Sequence, residues 1–285
     1  MRLERGLTAH LSIAFSPISI NLFFFNFSMG NGLGNKILFP APLGSYDDSL
    51  PGLIVQEDSI VGRQAFLHIA APSRPSERPY VLYFHGNACD IGTMLFELKE
   101  LASHSNANVV AVEYPGYGIL SDSYPTAKGI NEAADNALQY LIKKGVECQK
   151  IFFFGRSIGS GPAARLASLC TERGLQIGGL VLQSPYKSVH SIVRDYASVG
   201  TWFIDDHWRN DEVVSNPHSQ WPLLIIHGEQ DEVIGSVKHG KALFVMSVST
   251  RKKLVNPPNA THNEWHLYRD VLFPVRDFLA KYGQY

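Results

Sequence analysis

From about residue 52 onward, short apolar runs and amphipathic stretches alternate along the chain. Leu53 to Gln56 and Arg63 to Ile69 are β-rich runs on either side of Gly62, and they predict an antiparallel pair at a sheet edge. The polar stretch from Pro72 to Pro79 reads as a loop. Beyond it come five continuous apolar runs: Tyr80 to Phe84, Asn108 to Val112, Ile151 to Phe154, Gly179 to Leu182 and Leu223 to Ile226. Each is closed by Gly, Pro or a polar residue, as expected of strands buried on both faces. Lys252 to Val255 is a further strand. Between the strands, Ile130, Ala133, Ala137, Leu138, Leu141 and Ile142 recur at helical spacing, as do Ala163, Ala164, Leu166, Ala167 and Cys170. Alternation of this kind, without an internal repeat, predicts one doubly wound α/β domain on a mostly parallel sheet over residues 51–285.

Composition narrows the partners rather than the fold. A chain of 285 residues with 45% hydrophobic and 18% charged residues is too apolar for disorder and too interrupted for a multi-span membrane protein. The formal charge is -1 and no long basic run occurs, which excludes a nucleic-acid footprint. Cys89, Cys148 and Cys170 are odd in number and lack C-x-x-C spacing, so neither a disulfide framework nor a zinc site is expected, and a reducing, cytoplasmic compartment fits.

Residues 1–50 read as an extension and linker, and their first part is open to three readings. Residues 1–28 start basic, run apolar from Leu11 to Phe27 and end in small residues, as a secretory signal or membrane anchor does. Pro17, Asn21 and Asn26 interrupt that run. Alternatively, translation starts at Met29, which exposes Gly30 for N-myristoylation, although the sixth place holds Gly34 where Ser or Thr is preferred. An ordinary surface extension is the third reading.

The chemistry enters at Gly155-Arg156-Ser157-Ile158-Gly159, a G-x-S-x-G directly after a buried strand and before an Ala-rich helix. A serine displayed on such a turn needs small neighbours two places before and after it, and Gly155 and Gly159 supply them. The turn puts Ser157 at a helix start, where unpaired N–H groups favour a developing oxyanion, and Pro162 falls in the first turn, where its missing N–H costs little. A serine hydroxyl needs a base, and the base an orienting acid. Asp231 follows the Leu223–Ile226 strand and His262 follows Lys252–Val255, in the order serine, acid, histidine. The bland readings are a helix cap for Asp231 and a surface histidine for His262; Glu229, Glu232, His239 and His266 are the nearest competitors.

Backbone N–H groups of Ile158 and of Asn87, in the turn His85-Gly86-Asn87-Ala88, are the candidate oxyanion donors. His85 reads as a buried loop histidine and Cys89 as a buried thiol. Between Pro185 and Trp221 lies a long excursion holding Trp202, Trp208, Trp221, Tyr186, Tyr196 and Phe203. It is expected as a short helical cap over about 185–221, whose aromatics either roof an acyl site or pack a crossover helix.

Four stretches taken together resemble the α/β-hydrolase domain-containing protein 17 family within the α/β-hydrolase superfamily. They are Tyr83-Phe84-His85-Gly86-Asn87-Ala88 with Asp90-Ile91-Gly92, Glu113-Tyr114-Pro115-Gly116-Tyr117-Gly118, Gly155 to Pro162, and Ile226 to Ile234. The resemblance implies the α/β-hydrolase fold, a Ser157–His262–Asp231 triad and removal of palmitate from S-acylated proteins at the cytosolic membrane face. It implies no cofactor or metal, peripheral membrane contact and a monomer. Two departures stand out. That family carries a palmitoylated N-terminal cysteine cluster, whereas no cysteine here precedes Cys89, and Ala260-Thr261 stands before His262 where a glycine often sits. A carboxylesterase, lipase or small peptidase on the same machinery, and an idle hydrolase fold used for binding, are the alternatives.

Overall fold

The apolar runs pair into one sheet because each lacks any polar face that water could cover. The computed structural model describes residues 39–58, 62–196 and 207–283. Gly30, the 1–28 segment, Trp202 and Phe203 lie outside the described residues. The eight strands are β1 (Leu53–Asp58), β2 (Gly62–Ile69), β3 (Tyr80–Phe84), β4 (Asn108–Val112), β5 (Ile151–Arg156), β6 (Gly179–Gln183), β7 (Leu223–Ile226) and β8 (Lys252–Val255). Their order across the sheet is β1-β2-β4-β3-β5-β6-β7-β8. β2 runs antiparallel to both β1 and β4, and every other pairing is parallel.

Register aligns the carboxyl ends. Phe84 faces Gly155, Gly155 faces Leu182, Gln183 faces Ile226, and Ile226 faces Val255. The loops that leave β3, β5, β7 and β8 therefore start along one edge. β5 runs two residues further than its apolar run, through Gly155 to Arg156, because the chain stays extended until the turn at Ser157.

Side-chain alternation divides the core between the two faces. Leu82, Phe84 and Phe153 pack with α2 (Ala127–Lys143) and α3 (Ser160–Glu172); Val81, Tyr83, Phe152 and Phe154 pack with α1 (Leu95–Ser105) and α7 (Phe273–Tyr282). Small residues set the helix distance: α2 buries Ala133, Ala134 and Ala137 beside Ile130, Leu138 and Leu141, and α3 buries Ala163, Ala164 and Ala167. Thr126 caps α2 by accepting from the Gly129 N–H at 3.0 Å. Among the described residues no helix is long and apolar enough to cross a membrane.

Two segments resolve differently from a plain reading of the pattern. The stretch 39–50 packs onto the described fold: Phe39 is buried, and Ser45 donates to the Asp90 carboxylate from both its N–H and its hydroxyl, at 2.7 and 2.5 Å. The excursion after β6 carries two short helices, α4 (Val189–Tyr196) and α5 (Asn210–Ser215), and two of its tryptophans face the body of the fold. Trp208 is 2% exposed, packs over Gly161 of α3 and donates from Nε1 to Asn131 Oδ1 at 2.9 Å. Trp221 lies at the amino end of β7, away from Ser157, and donates to Thr171 at 3.3 Å. Both pack the crossover onto the sheet. Removing the buried indole in Trp208→Ala is expected to cost about 3–5 kcal/mol of stability, read as a lowered urea midpoint.

Candidate active site

β5 ends at Arg156, and Ser157 takes a φ of 53°, a left-handed backbone that a non-glycine residue holds only where its surroundings enforce it. The enforcement is close packing. A Cβ on Gly155 would collide with the carbonyl of Gly159, and one on Gly159 with the carbonyl of Phe84 at the end of β3. A 3-10 turn over Ser157–Gly159 then leads into α3, leaving Ser157 half-buried at a helix start. Arg156 turns aside to α1, where its guanidinium meets Glu97 at 3.3 Å.

The loops after β7 and β8 bring the other two predicted residues to it. Ser157 Oγ lies 3.1 Å from His262 Nε2, and His262 Nδ1 lies 2.9 Å from Asp231 Oδ2 and 3.1 Å from Oδ1. These loops are laced to each other. Glu229 N–H donates to Pro257 O at 2.9 Å, Gln230 N–H to Ala260 O at 3.0 Å, and His262 N–H to Glu232 at 3.2 Å. Their approach is so close that a side chain on Gly228 would strike the Ala260 carbonyl. Trp265 Nε1 donates to His262 O at 3.0 Å from the far side. Ala260, at 2% exposure, fills the place where a glycine is common and leaves His262 in reach of both partners.

A family model for the alpha/beta hydrolase fold matches residues 81–221. Protein bem46 of Schizosaccharomyces pombe is 30% identical over 213 residues, 73% of this chain and 69% of that protein. Alpha/beta hydrolase domain-containing protein 17B of Xenopus laevis is 30% identical over 211 residues, 73% of this chain and 68% of that protein. The chain is an α/β-hydrolase. It belongs with the domain-containing protein 17 relatives; the human 17C protein is 31% identical over 72% of this chain and 59% of its own length. Among solved structures, a cold-adapted esterase from an Arctic intertidal metagenomic library superposes with a TM-score of 0.60 at 15% identity, covering 85% of this chain and 99% of that one. The esterase domain of a Rhodothermus marinus protein gives 0.57 at 14% identity, covering 81% and 99%. At these identities the likeness is one of fold.

In this hydrolase Asp231 makes two sets of contacts. Oδ1 caps its own loop, accepting from Val233 N–H at 3.0 Å and Ile234 N–H at 2.7 Å, while the carboxylate also faces His262. A residue to which the sequence reading gave no role joins it. His227 has a fully buried side chain; its Nε2 donates to Ile234 O at 2.7 Å and approaches Asp231 Oδ2 at 3.2 Å. His227 Nδ1 has no hydrogen-bond partner among the described residues and lies against Gly240 at the start of α6 (Gly240–Met246), where any added side chain would strike it. Burial pushes the Asp231 carboxyl up, but hydrogen bonds from His227, His262 and Ile234 outweigh it and hold the group well below the usual carboxylate range. A permanent carboxylate is an acceptor only, so His262 carries its proton on Nδ1 and offers the Nε2 lone pair to the Ser157 hydroxyl. Serine to imidazole to carboxylate is an arrangement that can pass a proton off the serine as it attacks.

Of the four competitors, Glu232 meets the His262 backbone N–H and not its ring, and the other three are occupied elsewhere. His239 is buried, accepts from Lys187 N–H at 3.1 Å and meets Asp195 at 3.0 Å; His266 accepts from Arg269 N–H at 3.3 Å; Glu229 meets Lys241 at 3.1 Å. On the other side of Ser157, the His85–Ala88 turn comes close enough that a Cβ on Gly86 would sit 3.6 Å from Ser157 Cβ. Asn87, in this turn, accepts from Tyr117 at its side-chain oxygen at 3.1 Å, and Ile158 follows Ser157 with its carbonyl bonded by Tyr186 at 3.3 Å. His85 is buried, and its partner is one the sequence reading did not single out: Glu113, directly after β4, 3.0 Å from His85 Nε2. The one clue is its place, a carboxylate closing a fully apolar strand. Among the described residues no group of three or more His, Cys, Asp or Glu is set to hold a metal ion, and all three cysteines are free.

Because its folded pKa is depressed, Asp231 adds stability that is present above the unfolded carboxyl pKa and lost as pH falls toward the folded value. The stability gap between the native chain and Asp231→Asn is therefore expected to be widest near pH 7 and to narrow below about pH 4, measured by denaturant titration across pH.

Proposed function

We propose that this chain is a serine hydrolase that cleaves acyl thioesters, with S-palmitoylated cysteines of proteins as its substrate class. The observation that carries the chemistry is the continuous hydrogen-bonded run from Ser157 Oγ through His262 to Asp231, with the serine on a strained turn. The substrate class rests on the kinship with the domain-containing protein 17 relatives and on the motifs shared with them.

In this reading Ser157 Oγ attacks the acyl carbonyl as its proton moves to His262 Nε2. The carbonyl electrons become an oxyanion received by the N–H groups of Ile158 and Asn87. Collapse breaks the C–S bond, and the proton on His262 leaves with the cysteine sulfur as a thiol. Water then attacks the acyl-enzyme with His262 as base, which releases the fatty acid and restores Ser157. Asp231 stays ionised throughout and holds the imidazole in the tautomer both half-reactions use. The setting is the cytosolic face of a membrane, and attachment would be sought in residues 1–28 or in a lipid on Gly30.

The test is fluorophosphonate labelling of the native chain beside Ser157→Ala, Asp231→Asn and His262→Ala. Label is expected on the native chain, abolished by Ser157→Ala and slowed by on the order of a thousandfold or more in the other two. Folded native chain that takes no label would overturn the serine-hydrolase reading in favour of a binding module. A chain-length series of thioesters against matched oxygen esters then sets the substrate. Preference for long-chain thioesters supports depalmitoylation, and preference for short oxygen esters replaces it with a carboxylesterase.

A further inference from the structure

The segment ahead of β1 reaches into the turn beside Ser157 through a connected set of buried groups. Tyr46 donates its hydroxyl to Glu113 Oε2 at 2.7 Å. Glu113 Oε1 lies 3.0 Å from His85 Nε2, and His85 Nδ1 lies 2.9 Å from the Gly86 carbonyl. Glu113 also accepts from Ile91 N–H and Tyr114 N–H, each at 3.1 Å, so one carboxylate with no exposure ties down both ends of the loop from His85 to Ile91. Tyr114 closes the set by donating its hydroxyl to His85 O at 2.8 Å and stacking on the imidazole with centroids 3.9 Å apart. In the middle of this loop Ala88 holds a φ of 56°, a conformation that needs restraint from outside.

The Gly86 carbonyl and the Asn87 N–H are the two ends of one planar peptide group. His85 faces an acceptor from each ring nitrogen and satisfies both only with an N–H on each; the Nδ1–H on the Gly86 carbonyl then fixes the plane and polarises the N–H at its other end. We infer that Tyr46 is a positioning residue for the oxyanion side of the site, acting through Glu113 and His85 on the Gly86–Asn87 peptide. The inference rests on the serine-hydrolase reading and on Asn87 as an oxyanion donor.

Tyr46 is built into its place. Gly92 and Gly118 form the slot for its ring, and a Cβ on Gly118 would lie 2.6 Å from Tyr46 Cε1 and 2.5 Å from Glu113 Oε2. A Cβ on Gly92 would collide with the Ser45 hydroxyl and lie 2.8 Å from Tyr46 Cδ1. Ser45, doubly bonded to Asp90, anchors the strap one residue away. Burial, reinforced by the Glu113 charge, pushes the Tyr46 hydroxyl far above its ordinary pKa, so it stays the donor. Without that donor, Glu113 Oε2 keeps only the Ile91 N–H, and the groups sharing the buried carboxylate must readjust.

Two variants of the full chain disturb the relay from opposite ends. Tyr46→Phe keeps the ring in its slot and removes the hydroxyl, whereas Gly92→Ala leaves Tyr46 chemically intact and crowds the strap out. The probe is a fluorophosphonate, with Ser157→Ala as blank, followed by turnover of one long-chain thioester. Active-site titration separates how many molecules react from how fast each reacts, and a purely structural defect moves only the first. Both variants are expected to reach the native amplitude with labelling about tenfold slower, and to lose about tenfold in kcat with KM unchanged. Labelling and kcat within twofold of native in both variants would overturn the relay alone. So would a loss confined to amplitude. Folded native chain without label would instead overturn the reading on which the relay rests, and it is told apart because it appears before any variant is compared.

Discussion

Ser157 can stand where it does because the residues two places before and after it, Gly155 and Gly159, have no side chain. The carbonyls of Phe84 and Gly159 occupy the space that a Cβ on Gly159 or Gly155 would need, so β3, β5 and the start of α3 meet at backbone distance. That contact sets how far the His85 turn stands from the serine and fixes the direction in which α3 leaves the sheet. It also explains the alanine-rich face of α3, since a helix launched so close to the strands has room only for small residues against them. The parallel register then carries the constraint outward: once β3 and β5 are fixed, β6, β7 and β8 end along the same edge and deliver their loops there.

On both sides of the serine the same solution recurs, a carboxylate beyond the end of a strand, surrounded by donors and holding a histidine. Glu113 follows β4 and faces His85; Asp231 follows β7 and faces His262. The two differ in what lies beyond the imidazole. His85 spends its second nitrogen on a backbone carbonyl, which makes it a brace, while His262 presents its second nitrogen to a hydroxyl. Neither carboxylate could be buried without its donors, because an unpaired charge in a low-dielectric interior costs far more than a hydrogen bond returns. Each loop is therefore ordered as much by its acid's need for partners as by apolar contact.

The strand runs, the helix spacing and the positions of Ser157, Asp231 and His262 were legible because they depend on local rules: period, turn chemistry and chain order. The partners of buried charges were not, since they are chosen across the sheet. Tyr46 and Glu113 are 67 residues apart in sequence, and nothing near either marks the other. His227 read as part of a motif without a role, because its bond to the Asp231 loop exists only once that loop curls back over it. For Trp208 the composition allowed a roof or a packing residue, and its direction was decided by Gly161 on a different element. Asp231 offered a cap and a triad acid as rival readings, and the folded loop has room for both sets of contacts.

The strap from Phe39 to Tyr46 bears on where this fold starts as a heritable unit. Strand patterning draws the boundary near residue 51, yet the buried carboxylate just beyond β4 draws a donor from residue 46 and a loop acid draws two from residue 45. The smallest piece that can be exchanged between chains, or trimmed by an engineer, is thus longer than its regular secondary structure. Its leading edge, from residue 39, is an irregular peptide with no strand or helix of its own, and it is bonded to the loop that stands beside Ser157.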